Sequence, residues 1–286
     1  MTMKKPKPQD VTSYDIIKAV AVVIMICDHI GFYFYPENLW WRAIGRIGFP
    51  VWFFLPGYAQ GRGIATSLWV GGLMLAAGNI IAGMPFLPVN ALFTIIMIRL
   101  SVDSIVKLVH KQEWLFWGVC FGLIIIYTPT TAFAEYGSLG LLFGVFGWLV
   151  RNVAQVENGV RKKTQYAIFA FLAFIGLQQF GPSGFHFSVA QFFVMAFFTA
   201  GTCWALYNFR SVSYPGFARA GKPVTWLTKF MGRNTLEIYV FHLLLFKAII
   251  LCMFPQNFLK TGLIVSHGDW SRPAAIHAPL HSDKTK

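Results

Sequence analysis

The stretch YDIIKAVAVVIMICDHIGFYFY, Tyr14 to Tyr35, decides the fold. It is unbroken apolar sequence between Lys18 and Asp28, and with its flanks it reaches the roughly 20 residues that one helical crossing of a bilayer core needs. Lys4, Lys5 and Lys7 precede it as in a signal peptide. Asp28 and His29 interrupt the run, however, and no small-residue cleavage site follows, so it reads as a retained first helix.

Working outward, apolar windows separated by Gly, Pro or charge clusters recur near 47–63, 68–87, 90–108, 114–130, 134–150, 164–181, 187–208 and 235–254. The composition agrees: 56% hydrophobic and 12% charged residues in 286 exclude an ordinary soluble enzyme. The predicted fold is all-α, a polytopic transmembrane helix bundle of about nine spans. Trp40, Trp41, Trp69, Trp114, Trp117, Trp148 and Trp226 stand near predicted helix ends, at the headgroup level. Cys27, Cys120, Cys203 and Cys252 lie inside apolar runs and read as small hydrophobes.

The formal charge of +13 follows the loops, which points to membrane lipids and not to nucleic acid. With the N-terminus inside, the inner segments collect Lys4, Lys5, Lys7, Arg62, Lys107, Lys111, Arg151, Arg161, Lys162, Lys163, Arg210, Arg219, Lys222, Lys229 and Arg233, whereas the outer loops hold only Arg42 and Arg46. That alternation is the positive-inside pattern and supports an odd number of spans. The domain reading is a basic N-terminal segment over 1–13, a transmembrane domain over 14–254, and a polar, disordered tail over 255–286 lying outside.

Ionisable groups inside a bilayer are expensive, so each is a functional candidate. Lys18 and His29 share one face of the first helix, about 16 Å apart, with Asp28 beside His29. Lys18 reads equally as a snorkelling residue. Arg46 is the expected partner of Asp28, with headgroup phosphate as the alternative. On the fourth predicted span Asn90 lies near the level of His29, while Arg99 and Asp103, four apart, can neutralise each other. Glu135 opens the sixth span, where a carboxylate can also cap the helix. On the last span Tyr239 and His242 share a face, with Lys247 deeper. No ligand pair at helical spacing calls for a metal.

Asp15-Ile16-Ile17-Lys18 through Met25, Asp28 and His29, then Gly45-Arg46-Ile47-Gly48-Phe49-Pro50, resembles the start of the TraX family, membrane proteins linked to N-terminal acetylation of F-type conjugative pilin. The resemblance continues at Asn90-Ala91-Leu92-Phe93-Thr94, at Glu135-Tyr136-Gly137 with Gly140, and at Tyr239-Val240-Phe241-His242-Leu243. Glu135 stands where the family pattern has Asp. The Lys18 to His29 spacing and Gly232-Arg233-Asn234-Thr235-Leu236-Glu237-Ile238-Tyr239 are similar to the broader membrane acyltransferase superfamily.

The resemblance implies a multi-pass bacterial inner-membrane enzyme that transfers acetyl from acetyl-CoA to an amine or hydroxyl, with a pilin or another membrane-embedded acceptor as partner. Under it, His29 is the expected general base or a covalent acetyl carrier, Asp28 holds Arg46 or a second histidine, and Asn90, Tyr239 and His242 position the acceptor or donate to the oxyanion. Coenzyme A phosphates are expected on Arg151, Arg161, Lys162, Lys163 and Arg233, with Lys18 at the mouth. The rival readings are a proton-coupled transporter and a non-catalytic component of a pilus or secretion assembly.

Overall fold

Backbone polar groups inside lipid have to be satisfied within the chain. The computed structural model meets that demand with twelve α-helices among its described residues, 10–182, 184–255 and 258. They are α1 (Ser13–Phe34), α2 (Leu39–Arg46), α3 (Phe49–Tyr58), α4 (Thr66–Ile81), α5 (Ala91–Lys111), α6 (Glu113–Ile125), α7 (Tyr127–Thr131), α8 (Gly137–Arg151), α9 (Gly159–Phe180), α10 (Val189–Tyr207), α11 (Lys222–Arg233) and α12 (Thr235–Met253). The chain is a polytopic helical membrane protein. Residues 1–9 and, apart from Pro255 and Phe258, the tail expected over 255–286 lie outside the described residues.

Three helices, α1, α10 and α12, are long and apolar enough to cross a membrane by themselves. On α10, Phe193, Phe197 and Trp204 are exposed at steps of four and seven, which makes one outward apolar stripe suited to lipid.

All nine apolar windows fall on helices, but two do not form the continuous spans expected of them. The window 47–63 holds only the 10 residues of α3, about 15 Å of helix, all of them buried except the half-buried Trp52. Pro56 removes a ladder N–H near its end, and the chain continues extended toward α4. Arg62 takes up the freed carbonyls, its Nη1 donating to Ala59 O at 2.6 Å, Pro56 O at 3.0 Å and Gly57 O at 3.3 Å. The window 114–130 breaks between α6 and α7; Pro129 has no N–H for the carbonyl four residues back. In the segment between Arg210 and Arg233, read from sequence only as a basic inner loop, the structure places α11, whose Trp226 and Phe230 rings stack at 5.2 Å on its exposed side.

The Arg99–Asp103 pair expected within one helix does not form. Arg62, arriving from the extended segment, presents its planar fork to Asp103 with two bonds of 2.9 Å. Arg99 donates to the Gly61 and Gly63 carbonyls at 3.0 Å instead. Together these three side chains hold non-helical backbone at the edge of the bundle.

The Ser13 end of α1 is clamped from a distance. Thr12 and Asp15 form a capping box, and the Asp15 carboxylate also takes a two-pronged grip from Arg233 at 3.0 and 3.1 Å. A two-stranded ribbon, β1 (Val11–Thr12) antiparallel to β2 (Ser213–Tyr214), pins the same end.

The core centres on α3 against α8. Gly57 faces the Gly144 backbone and Gly147 faces the Phe54 carbonyl, so the two helices touch through their main chains. A Gly147→Leu substitution, whose Cβ would fall on the Phe54 carbonyl oxygen, is expected to force them apart at a cost of about 1–3 kcal/mol or more. Thermal unfolding of the detergent-solubilised protein, read as loss of the monodisperse gel-filtration peak, should shift down by several degrees; an unchanged transition would contradict this packing.

Candidate functional site

The site grows from two spacings. Asp28 and His29 are neighbours on α1 and point about 100° apart, so they serve different partners. Arg42 and Arg46 are four apart on α2 and share one face. The α2 helix folds back on α1, and Gly45 allows it to come close enough that any Cβ there would occupy the space of the Asp28 carboxylate. The Asp28 to Arg46 pair expected from sequence is present at 3.6 Å, but Arg42 holds the same oxygen closer, at 2.9 Å. Arg42 also donates to the Asp28 carbonyl at 3.2 Å. All three residues are buried. Aromatic faces cover the guanidinium groups: Phe185 at 5.0 Å from Arg42 and 4.8 Å from Arg46, and Tyr136 at 5.5 Å from Arg46.

His29 turns the other way, toward α12. Its Nδ1 lies 2.7 Å from Nε2 of His242, and Nδ1 of His242 lies 2.6 Å from the Ile238 carbonyl oxygen one turn back on α12. The carbonyl only accepts, so His242 carries its proton on Nδ1 and offers a bare Nε2. His29 must then donate from Nδ1, which leaves its own Nε2 unprotonated and free to take a proton. The Tyr239 ring is 6.0 Å from both imidazoles. His242 was expected to donate to an oxyanion or to position the acceptor; the structure places its Nε2 against His29 Nδ1.

Two cavities share a wall here. The larger, about 440 Å³, has Tyr14, Lys18, Arg99 and Arg233 toward the Ser13 end of α1, and Asp28, His29, Arg46 and Tyr239 at its other end. The smaller, about 110 Å³, lies toward the Phe34 end and is bounded by Asp28, His29, Arg46, Tyr136 and Tyr239 together with Arg42, Glu135, Asn90 and Lys247.

Asn90 sits on the smaller cavity, but its side chain is engaged in structure. Its carbonyl caps α5 at Leu92 N–H, and its amide donates to Gly72 O at 2.9 Å. Glu135 caps a helix as expected, though α5 and not the one that follows it. Its carboxylate accepts the Ala91 N–H at 2.8 Å, and its main-chain carbonyl accepts from the Thr94 hydroxyl.

The basic residues expected to hold coenzyme A divide. Lys18 and Arg233 line the larger cavity. Arg151, Arg161, Lys162 and Lys163 do not, because packing partners claim each of them: the Arg151 guanidinium lies 5.0 Å over the Tyr58 ring, Arg161 pairs with Glu113 at 2.8 Å, Lys162 is buried on Val109 O, and Lys163 lies 3.6 Å over the Tyr207 ring. Sequence reasoning underweighted Arg42, which its four-residue spacing from Arg46 would have signalled, and Arg99, whose place on the cavity wall depends on the extended segment beside it. Among the described residues, no group of three His, Cys, Asp or Glu is placed to hold a metal ion.

The family model described as TraX protein matches residues 13–250, and the chain belongs to the TraX family. An uncharacterized protein of Rickettsia prowazekii (strain Madrid E) is 28% identical over 172 residues, which are 58% of this chain. The match spans 63% of that relative's length. No solved structure matches.

Replacing Asp28 by Leu leaves two buried guanidinium groups without their counter-charge. The expected loss is about 3–5 kcal/mol of stability, read as a lowered thermal transition in detergent, with partial recovery when Arg42→Leu is added, since Arg46 still lacks its partner. Failure of the second substitution to recover stability would mean that Asp28 does not balance Arg42.

Proposed function

We propose that this TraX-family protein is a multi-pass inner-membrane acyltransferase that moves an acetyl group from cytoplasmic acetyl-CoA to an amine or hydroxyl of an acceptor, the N-terminus of a conjugative pilin being the acceptor suggested by the family resemblance. The observation that carries the reading is the His29–His242 pair, 2.7 Å apart, at the wall shared by two cavities. Two reactants can approach one base from opposite ends without competing for the same space.

In this orientation the Ser13 end of α1 faces the cytoplasm. Lys18, Arg99 and Arg233 give the larger cavity a cationic mouth suited to the phosphates of coenzyme A, with Arg233 shared with Asp15. From Lys18 to His29 the wall climbs about 16 Å, 11 residues at 1.5 Å each, close to the reach of a pantetheine arm. The apolar lining between, including Met25, Phe49, Trp52 and Leu92, suits that arm.

His29 Nε2 removes the proton from the acceptor nitrogen or oxygen as that atom bonds to the thioester carbonyl carbon. His242 holds the base in the required tautomer and shares the developing positive charge, a role like that of the orienting group in a catalytic triad. Tyr239, beside both rings, supplies a hydroxyl to the oxyanion. When the carbon–sulfur bond breaks, the proton on His29 passes to the departing thiolate, leaving the acetylated acceptor and coenzyme A thiol.

Acetyl-CoA turnover by the detergent-purified protein tests this. His29→Ala is expected to lower kcat by about 10²–10⁴-fold. His242→Leu should lower kcat by about tenfold or more through loss of the fixed tautomer, with KM for acetyl-CoA unchanged. Turnover that survives His29→Ala, or ion flux without thioester cleavage, would overturn the enzyme reading in favour of a transporter.

A further inference from the structure

The smaller cavity carries more positive than negative charge. Three cationic side chains reach it, Arg42, Arg46 and Lys247, each at most 6% exposed, against two carboxylates, Asp28 and Glu135. Both carboxylates are already engaged. Asp28 is gripped by both arginines, and Glu135 is turned to the Ala91 N–H at the start of α5. Lys247, on α12 one turn beyond Leu243, has no carboxylate within 4.0 Å among the described residues. The Arg46 Nε is buried without a hydrogen-bond partner. Asp28 Oδ1 is also without one, yet it does not alter the three-to-two excess.

A cation shut away from water without a counter-charge is strongly disfavoured, and the remedy a cavity provides is an anion inside it. We propose that the smaller cavity is an anion site, where Lys247 and Arg46 bind a compact acidic group, carboxylate or phosphate, carried by the acceptor. Its assignment to the acceptor rests on the acyl-transfer reading; the anion site itself does not. At about 110 Å³ the space suits a group of a few non-hydrogen atoms and excludes a whole lipid. Lys247 binds as a mobile point charge with three donors, while Arg46 offers the planar edge that Asp28 leaves uncovered. Held there, the acidic group keeps the nucleophile of the same molecule close to His29, which lines the same cavity.

The probes are succinate, inorganic phosphate and the neutral isostere succinamide, added to the detergent-purified protein without acetyl-CoA and followed by thermal shift and isothermal titration. Succinate or phosphate is expected to bind and stabilise, and succinamide is not. Binding by succinate alone identifies a carboxylate, and binding by phosphate alone a phosphate. Lys247→Met should weaken anion binding about tenfold or more, Lys247→Arg should retain it, and Arg161→Gln, remote from the cavity, should leave it as in the parent protein. Equal binding of succinate and succinamide, or undiminished anion binding by a folded Lys247→Met protein, overturns the proposal. Because binding is read without thioester chemistry, a protein that binds succinate but turns over no acetyl-CoA would remove the enzyme reading and leave the anion site standing, and the converse result would do the opposite.

Discussion

Asp28 between Arg42 and Arg46 is the interaction on which the rest of the site depends. Three charges at most 6% exposed survive burial only as a set, since any one alone would face the full desolvation penalty. Satisfying that set determines much else. It draws α2 back onto α1, requires the bare backbone of Gly45, and turns the faces of Tyr136 and Phe185 toward the guanidinium groups. It also fixes the rotation of α1. With Asp28 facing α2, helical geometry carries His29 about 100° round to α12, where His242 waits on the carbonyl of its own preceding turn. The structural ion cluster and the histidine pair are two consequences of one helix setting.

The hydrophobic pattern made much of the fold legible. The windows that became α1, α5, α10 and α12 end within a few residues of the observed helices, because a hydropathy run measures how long a segment can stay in lipid. It does not measure where the backbone finds its hydrogen bonds. That is why α3 stops at Tyr58: its carbonyls are claimed by Arg62, and Arg62 in turn diverts Asp103 from Arg99. A four-residue spacing predicts an ion pair only if no better-shaped partner arrives from elsewhere in the chain. The helix α11 escaped for the opposite reason. Its 12 residues mix lysine and arginine with Trp226 and Phe230, which in a search for spans reads as a loop.

For the site, the residues were more legible than their roles. His29, Asp28, Arg46, Tyr239 and His242 stand out because ionisable or polar groups in apolar helices need a reason to be there, and the structure does bring them to one wall. Their division of labour depends on ring orientation and tautomer, which no spacing encodes. The basic clusters are divided by packing in a specific way. Arg161, Lys162 and Lys163 are consecutive, so counting charge treats them as one patch, but three successive helical positions point in three directions. One meets Glu113, one the Val109 carbonyl and one the Tyr207 ring. The cations at the Ser13 end of the larger cavity, Lys18, Arg99 and Arg233, come from three separate helices and were brought together only by packing.

A base on a wall shared by two cavities has a consequence for how the proposed reaction proceeds. If donor and acceptor enter from opposite ends, both can be present at once, and direct attack on the thioester needs no covalent carrier. A carrier becomes necessary where two reactants must occupy one space in turn. The orientation of His29 favours the direct route as well. Its Nδ1 is committed to His242, so Nε2 is the atom left for chemistry, and an acetyl group bonded there would occupy the imidazole just when the second step needs it as a base. The shared wall also explains why a charged cluster belongs so close to the reacting atoms. Asp28, Arg46 and Tyr136 stand between the two cavities, and a partition built from paired charges and a covering ring stays rigid, so that in the proposed reaction each cavity can receive a different molecule.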